Sequence, residues 1–399
     1  MSSLISGEAP VPCIWPDEAA SPVHRTARWF KRFMGCLKWP VIYPVTRARR
    51  APHIQRSGSG PLRIFAAFRH VNWENYNLLP ALEHFGEVLH FDWSPLFNEY
   101  DPNWHWGGKQ WMNYELLCAL QNAHAERPVD LFFAYVSGRT VFPSTIRAIG
   151  MMGIPTVNIA FDDRLKFFSS LEPTGFAGNV DLASVFTLSW TNAKEVVSKY
   201  RTAGGRAIYM PQAADPHVYH TYDLPRDIDI SFIGQKYGQR PHVIAYLREH
   251  GFNVQVWGRG WVSGELPMDK IPKVFSRSKI SLGIGTMATT TDVLTIKGRD
   301  FEVTMSGGFY LTQYNPELAE FYKIGEEIVC YHSLEDLVEK IRYYLARPEE
   351  AERIRQAGLQ RARRDHTWVK RFYKLFETLQ EQAGVALLNT IAKESPCST

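Results

Sequence analysis

From Pro61 onward, apolar and polar positions alternate in short strand-like and longer helix-like runs. LRIFAAF (62–68) is apolar apart from Arg63, the pattern of a strand covered on both faces. A polar stretch, RHVNWENYN (69–77), leads into a helix that reaches Phe85 and stops at Gly86. EVLHFDW (87–93) reads as a second strand, QWMNYELLCALQNAHAER (110–127) as a helix and VDLFFAYV (129–136) as a third strand. Pro143 opens a helix that ends before Gly153, and IPTVNIAF (154–161) is a fourth strand. SVFTLS (184–189), a helix from Asn192 to Tyr200, and RAIYMP (206–211) finish the run. Apolar strands alternating with helices predict a parallel sheet with helices on both faces.

QAADPHVYHTYDLPRD (212–227) has no apolar period and reads as a linker. The alternation then restarts. DISFIG (229–234) is a strand, helix 240–249 ends at Gly251, and NVQVWG (253–258) is a strand. Helix 268–277 leads to strand KISLGIG (279–285). KGRDFEVTMSGGFYLTQYNPEL (297–318) predicts a short helix from Lys297 to Ser306, a stop at Gly307-Gly308, a buried strand, and a new helix opened by Asn315-Pro316. EIVCY (327–331) follows, then a helix capped by Ser333, with Asp336 in capping-box spacing, and helices over 348–362 and 366–383. The chain thus reads as α/β, with two consecutive Rossmann-like units. Such sheets bind ligands at the carboxyl ends of their strands, and two facing units enclose a cleft. The expected division is a basic extension (1–60), a first domain (61–211), a second domain (212–365), and a final helix and tail (366–399).

Composition narrows the class. The 399 residues suffice for about two domains. A net charge of +4 gives no global reason to expect a nucleic-acid partner. The five cysteines are scattered, without a CxxC or Cys/His cluster, which fits a reducing cytoplasm and argues against a structural zinc site. No apolar run approaches the ~20 residues of a membrane span, and no signal-peptide pattern opens the chain. The charge is uneven, however. Residues 19–73 carry Lys and Arg but no Asp or Glu. Within them, Trp29, Phe30, Phe33, Met34 and Leu37 recur at near-helical spacing among Arg25, Arg28, Lys31, Arg32 and Lys38. Such a segment either lies on an anionic membrane surface or packs its apolar face on the adjoining domain.

The second unit holds the candidate anion chemistry. Lys and Arg are disfavoured at the positive end of a helix by ~0.3–1 kcal/mol each, whereas an anion is favoured there. Lys297 and Arg299 therefore either turn to solvent or meet a bound anion together with the helix start. Strand DISFI runs into GQKYGQR, where Gly234 and Gly238 let backbone N–H groups approach a ligand and Lys236 and Arg240 add charge. WGRGW (257–261) follows the next strand. Gly258 suits a close backbone approach, and Trp257 or Trp261 either stacks on a base or plugs the space between helix and sheet. TMATTTDV supplies hydroxyls at the same edge. Glycines, hydroxyls and cations converging on one sheet edge predict a diphosphate site, with no metal implied.

From about Leu182 to His366 the sequence resembles CgeB-like (spore-maturation type) glycosyltransferases. The resemblance is carried by DISFIGQKYGQRPHVIAYLREHGFNVQVWGRGW and by the run from KGRDFEVTMSGGFYLTQYNPEL to LARPEE. It implies the GT-B fold: a nucleotide-sugar domain at the C-terminal side, an acceptor domain before it, and a last helix crossing back. FEVTMSGG resembles the second half of the retaining-type E-x7-E motif, which assigns Glu302 to the nucleotide ribose, while Leu294 stands where the first glutamate falls. Lys297 and Arg299 resemble the family's diphosphate cations. The resemblance implies a nucleotide-diphosphate sugar as donor, with no further cofactor and no bound metal.

An inverting enzyme of this class needs a general base on the acceptor hydroxyl, whereas a retaining one relies mainly on stabilising the leaving diphosphate. Candidates at strand ends of the first unit are His70 and Glu74 in RHVNWENYN and Asp162 and Asp163 in IAFDD. Their plainer readings are a polar loop and helix capping. The expected activity is transfer of a sugar to a hydroxyl acceptor, in the cytoplasm or peripherally on a membrane. The rivals are a nucleotide-sugar 2-epimerase of the same fold and a non-catalytic relative that only binds.

Overall fold

The computed structural model describes residues 60–69, 72–287, 290 and 292–388. The basic aromatic segment and His70 lie outside them, and so does the side chain of Glu74.

The first unit contains β1 (Leu62–Ala67), α1 (Asn72–Glu83), β2 (Gly86–Phe91), α2 (Gly108–Glu126), β3 (Leu131–Ala134), α3 (Pro143–Met151), β4 (Thr156–Ala160) and α4 (Asp163–Lys166). A small antiparallel hairpin follows, β5 (Leu171–Glu172) with β6 (Gly175–Phe176), then β7 (Leu188–Thr191), α5 (Val196–Thr202) and β8 (Ala207–Tyr209). Six strands form one parallel sheet in the order β2-β1-β3-β4-β7-β8. Every residue of β1, β3, β4 and β7 is buried, which is why their sequences are mostly apolar; the buried exceptions, such as Arg63 and Asn158, are paired by hydrogen bonds.

Three expectations shift. The polar stretch 69–77 is not all loop, because α1 begins at Asn72. In SVFTLS the strand starts later, at Leu188, while Leu182 and Phe186 are buried from a turn beneath the sheet. The helix expected from Asn192 starts at Val196, because Asn192 and Ala193 are held in a tight turn on Ala160 and Thr191.

The second unit contains β9 (Ile228–Ile233), α6 (Arg240–Glu249), β10 (Val254–Trp257), α7 (Ile271–Arg277), β11 (Ser278–Gly283), α8 (Arg299–Met305), β12 (Tyr310–Gln313), β13 (Val329–Tyr331), α9 (Leu334–Leu345) and α10 (Pro348–Asp365). Its parallel sheet has the order β10-β9-β11-β12-β13. The order reverses between β9 and β11, and the crevice outside the carboxyl ends of these two strands is where such sheets take ligands. Asn315 caps only a short 3-10 turn, Pro316–Glu320.

Helix α11 (Trp368–Ala383) returns to the first sheet. Its face Trp368, Phe372, Leu375, Phe376 and Leu379 is buried against Ile64, Leu78, Phe133 and Trp190. The chain crosses between the units twice, and the crossings meet where Ala214 pairs with Thr367.

Candidate functional site

The site is built at the reversal of the second sheet. Phe232, the buried penultimate residue of β9, forms its floor. The Arg299 and Arg240 guanidiniums lie 4.8 Å and 5.5 Å from its ring centre. The Arg299 Nε–H donates to the Ile233 carbonyl at 2.8 Å, and Arg240 Nη1 donates to the Gln235 carbonyl at 2.9 Å. Gly234 sits between them. A Cβ there would fall 2.4 Å from Arg299 Nη2 and 3.3 Å from Arg240 Nη1, so a larger residue would push the Arg299 guanidinium aside.

Lys297 joins this pair. Burial pushes its amine down to about 8, with the Arg240 and Arg299 charges acting in the same direction. Burial and then Arg299 lower Arg240 as well, to about 10. Arg240 is 3% exposed, and its Nε–H has no protein partner. None of these cations forms an ion pair among the described residues. Arg299 thus depresses both Arg240 and Lys297; three buried or half-buried cations are held together at a cost, and a bound polyanion would remove it.

The start of α8 is satisfied internally rather than by an anion. Buried Asp300 accepts the Lys297 N–H at 2.7 Å and the Tyr310 hydroxyl at 2.5 Å. The side chains of Lys297 and Arg299 turn instead to the crevice beside β9. One turn on, Glu302 lies under Gly298, whose missing side chain makes room: a Cβ there would meet Glu302 Oε1 at 2.8 Å. Glu302 keeps partial solvent access although protein packs densely around it. Burial raises its carboxyl to about 7 against the opposing pull of Arg299 and a hydrogen bond from Tyr219.

Two expected ligand residues serve the scaffold. Gly258, at φ +133°, packs on Gly234, where a Cβ would fall 2.3 Å from the Gly234 oxygen. Trp261 donates its Nε1–H to that same oxygen at 2.8 Å and packs edge-on to Phe232, so it is a plug that fixes the Gly234 turn. Lys236 stands apart from the cation cluster. It is exposed, with its amine 5.5 Å from the Trp261 ring centre. A recess of about 330 Å³ opens beside Arg240, lined by Gln239, His242, Gln313, Tyr331 and His332.

The first unit contributes differently. Asp163 does not face the crevice. It is 1% exposed, and its oxygens accept from Tyr200 Oη at 2.7 Å and Asn179 Nδ2 at 3.1 Å. Its carboxyl is raised to about 6, chiefly by burial. Its neighbour Asp162 is exposed, pairs with Lys166 at 3.0 Å, and lies near enough to Lys297 to raise the lysine's pKa. Arg164 crosses to the second unit, pairing with Glu317 and donating to the Leu294 carbonyl, and Asn192 donates to the Ile296 carbonyl at 3.2 Å. These contacts seat the loop that carries Lys297. Among the described residues, no group of three or more His, Cys, Asp or Glu could hold a metal ion.

Residues 240–377 match the family model described as glycosyl transferase-like. Sucrose-phosphate synthase from Thermosynechococcus elongatus has the same architecture, with a TM-score of 0.56 at 11% identity over 80% of this chain and 99% of that one. The fold is GT-B. Anabaena HepE, solved in complex with UDP and glucose, gives a TM-score of 0.50 at 14% identity, covering 80% of this chain and 99% of its own. A Listeria monocytogenes protein described as a UDP-N-acetylglucosamine 2-epimerase gives 0.50 at 10% identity, covering 81% and 96%. No curated protein matches the sequence. In this GT-B chain the cations and Glu302 belong to the second unit, and Asp162 approaches them from the first.

Sequence reasoning missed Tyr219, Asn77 and Asp300. The first two lie in stretches read as linker and polar loop, and only their burial sets them apart. Asp300 carried a signal, since an acid three residues after Lys297 has the spacing to cap that turn.

Proposed function

We propose that this protein is a glycosyltransferase, of hexosyl-transferring type, that moves a sugar from a nucleoside diphosphate to a hydroxyl acceptor. One observation carries the reading: Arg240, Lys297 and Arg299 converge at the sheet reversal and form no ion pair among the described residues. Breaking the glycosidic bond leaves negative charge on the departing diphosphate. Fixed cations that need no rearrangement stabilise that charge as it develops. Glu302, ionised, accepts hydrogen bonds from the ribose hydroxyls. The recess beside Arg240 takes the nucleobase. On this reading the side chains alone neutralise the diphosphate, and the donor is the only cofactor-like molecule required.

For the acceptor side, Asp162, Glu74 and His70 are the expected groups that remain, since Asp163 is committed to the fold. The CgeB-like resemblance is the finer family reading. The basic aromatic segment 19–60 is the proposed contact with an anionic membrane surface, which would make the acceptor lipid-linked or membrane-proximal and the enzyme peripheral on the cytoplasmic side.

The test is a thermal-shift panel of UDP, GDP and ADP with their sugars, because a ligand that binds only the folded state raises stability by RT ln(1 + [L]/Kd). At least one nucleoside diphosphate is expected to raise Tm. No shift with any of them overturns the donor site. Incubating the stabilising sugar nucleotide without acceptor separates transfer from epimerisation, since only an epimerase then changes the sugar.

A further inference from the structure

The peptide plane that precedes Lys297 is held from both units. Its N–H, which belongs to Lys297, donates to Asp300 Oδ2 at 2.7 Å. Its carbonyl, which belongs to Ile296, accepts from Asn192 Nδ2 at 3.2 Å. Asn192 is the first residue after β7 and is 1% exposed. An atom that faces a carbonyl oxygen must be a donor, so chemistry fixes which way this amide is turned. The same nitrogen lies 3.4 Å from Thr295 Oγ1. Two residues earlier, the Leu294 carbonyl accepts from Arg164 Nη1. Arg164 is itself anchored, because its Nη2 donates to Glu195 at 3.2 Å and to Glu317. Glu317 also accepts from the Tyr209 hydroxyl at 3.4 Å. Behind these ties the chain closes on itself: the Thr295 N–H donates to the Gly285 carbonyl at 3.2 Å, and the Met287 N–H to the Val293 carbonyl at 2.8 Å.

We propose that Asn192 and Arg164 are positioning residues through which the first unit aims Lys297 into the diphosphate cluster of the second. The inference rests on the proposed donor site. A peptide unit is planar, so holding its oxygen from one side and its N–H from the other fixes the plane and with it the direction in which the Lys297 side chain leaves the backbone. That restraint has work to do. Arg240 and Arg299 carry the same charge as Lys297, and like charges in a partly buried crevice repel. A loosely held backbone would let the amine turn away to solvent until a ligand arrives. Asn192 and Arg164 follow β7 and β4 at the carboxyl edge of the first sheet, the edge at which such sheets take ligands. An acceptor seated there rests on the same elements that aim Lys297 at the donor.

The first measurement needs no ligand. The Lys297 Cε carbon, labelled with carbon-13 and identified by its loss in Lys297→Ala, is titrated by NMR in wild type, Asn192→Ala and Arg164→Lys. Neither substitution changes the net charge. Asn192→Ala removes the donor to Ile296, and Arg164→Lys replaces a fork that spans Leu294 and Glu317 by a single ammonium. In wild type, burial, Arg240 and Arg299 hold the amine down at about 8, while Asp300 and Asp162 act the other way. Released from the cluster, it is expected to titrate higher, toward the ordinary lysine value of about 10.4. A midpoint unmoved in Asn192→Ala overturns the proposal. Should that variant not fold, Arg164→Lys decides by the same criterion.

The second measurement is a double-mutant cycle read by calorimetry with pyrophosphate. Asn192→Ala is expected to weaken pyrophosphate roughly tenfold in the otherwise wild-type chain and to change nothing further in Lys297→Ala, because the asparagine acts only through that amine. A loss that persists without Lys297 means a merely structural role and overturns the assignment, as does no loss in the wild-type background. If wild type does not bind pyrophosphate, the donor site itself fails, while the NMR midpoint still decides what aims Lys297.

Discussion

Asp163 and Glu302 are both densely packed carboxylates, one in each unit, and each has a buried tyrosine among its neighbours, Tyr200 and Tyr219. Burial raises both, to about 6 and about 7. On the proposed reading they nevertheless do opposite work. Around Asp163 every interaction closes inward: Tyr200 and Asn179 occupy its oxygens and no solvent reaches it. Around Glu302 the interactions stop short. Glu302 keeps partial solvent access on the crevice side, and the cations beside it form no ion pair among the described residues. A raised pKa therefore does not separate a scaffold carboxylate from a binding one. What separates them is whether the fold itself uses up the group's capacity.

The largest effect should come from breaking the closed pair. Asp163→Ala leaves the Tyr200 hydroxyl and the Asn179 amide without their acceptor, at ~1–3 kcal/mol for each buried donor left unpaired. Urea unfolding should show that loss while the Kd for UDP stays unchanged in the folded fraction. The pH dependence sharpens it. Because the folded-state pKa of Asp163 lies above its unfolded value, its contribution to stability is fully present below about pH 4 and is lost as pH rises through about 6. Asp163→Ala should flatten that part of the stability–pH curve. Altered nucleotide affinity would return Asp163 to the binding site.

Breaking the open region should do the reverse. Arg299→Ala and Lys297→Ala should each weaken UDP by ~1.5–3 kcal/mol, roughly 10- to 150-fold in Kd. Circular dichroism should show the fold intact, because removing one of several repelling cations relieves strain. If both variants bind UDP as wild type does, the unpaired cations are not a phosphate site.

A smaller loss is expected for Glu302→Gln, about 1 kcal/mol. The amide retains one acceptor oxygen but replaces the other with a donor. Calorimetry with uridine as well as UDP checks the site of the loss, since a ribose contact must weaken both. In wild type the same contact should weaken as pH falls through about 7, where Glu302 gains its proton.

Much of this was legible in the sequence. The largely apolar runs of β1, β3 and β4 name themselves, because a strand covered on both faces spares a polar position only where a partner is supplied, as for Arg63 and Asn158. Gly234, Arg240, Lys297 and Arg299 were legible as a group, because successive strand ends in an α/β sheet share one edge. The division of labour between Asp162 and Asp163 was not. Adjacent acids after a strand look alike in sequence, and what decides between them is Tyr200, a residue far along the chain. Asn77 and Tyr219 were hidden for a similar reason: polar residues in apparent loops show no period, and their meaning arises only where the two crossings meet.

The smallest effect tests the edge of the cluster. In sequence Lys236 and Arg240 look equivalent, both flanking a glycine turn before a helix. In the structure Arg240 is buried beside Arg299, whereas Lys236 is exposed with its amine over Trp261. An exposed cation near, but not in, a binding crevice acts through a screened field rather than a contact. Lys236→Ala should therefore cost UDP binding less than about 0.5 kcal/mol, and that loss should vanish in high salt. Arg240→Ala, measured in parallel, should lose affinity on the scale of Arg299→Ala at either salt concentration. If the two variants lose the same affinity with the same salt dependence, Lys236 contacts the diphosphate and the buried cluster is only part of the site.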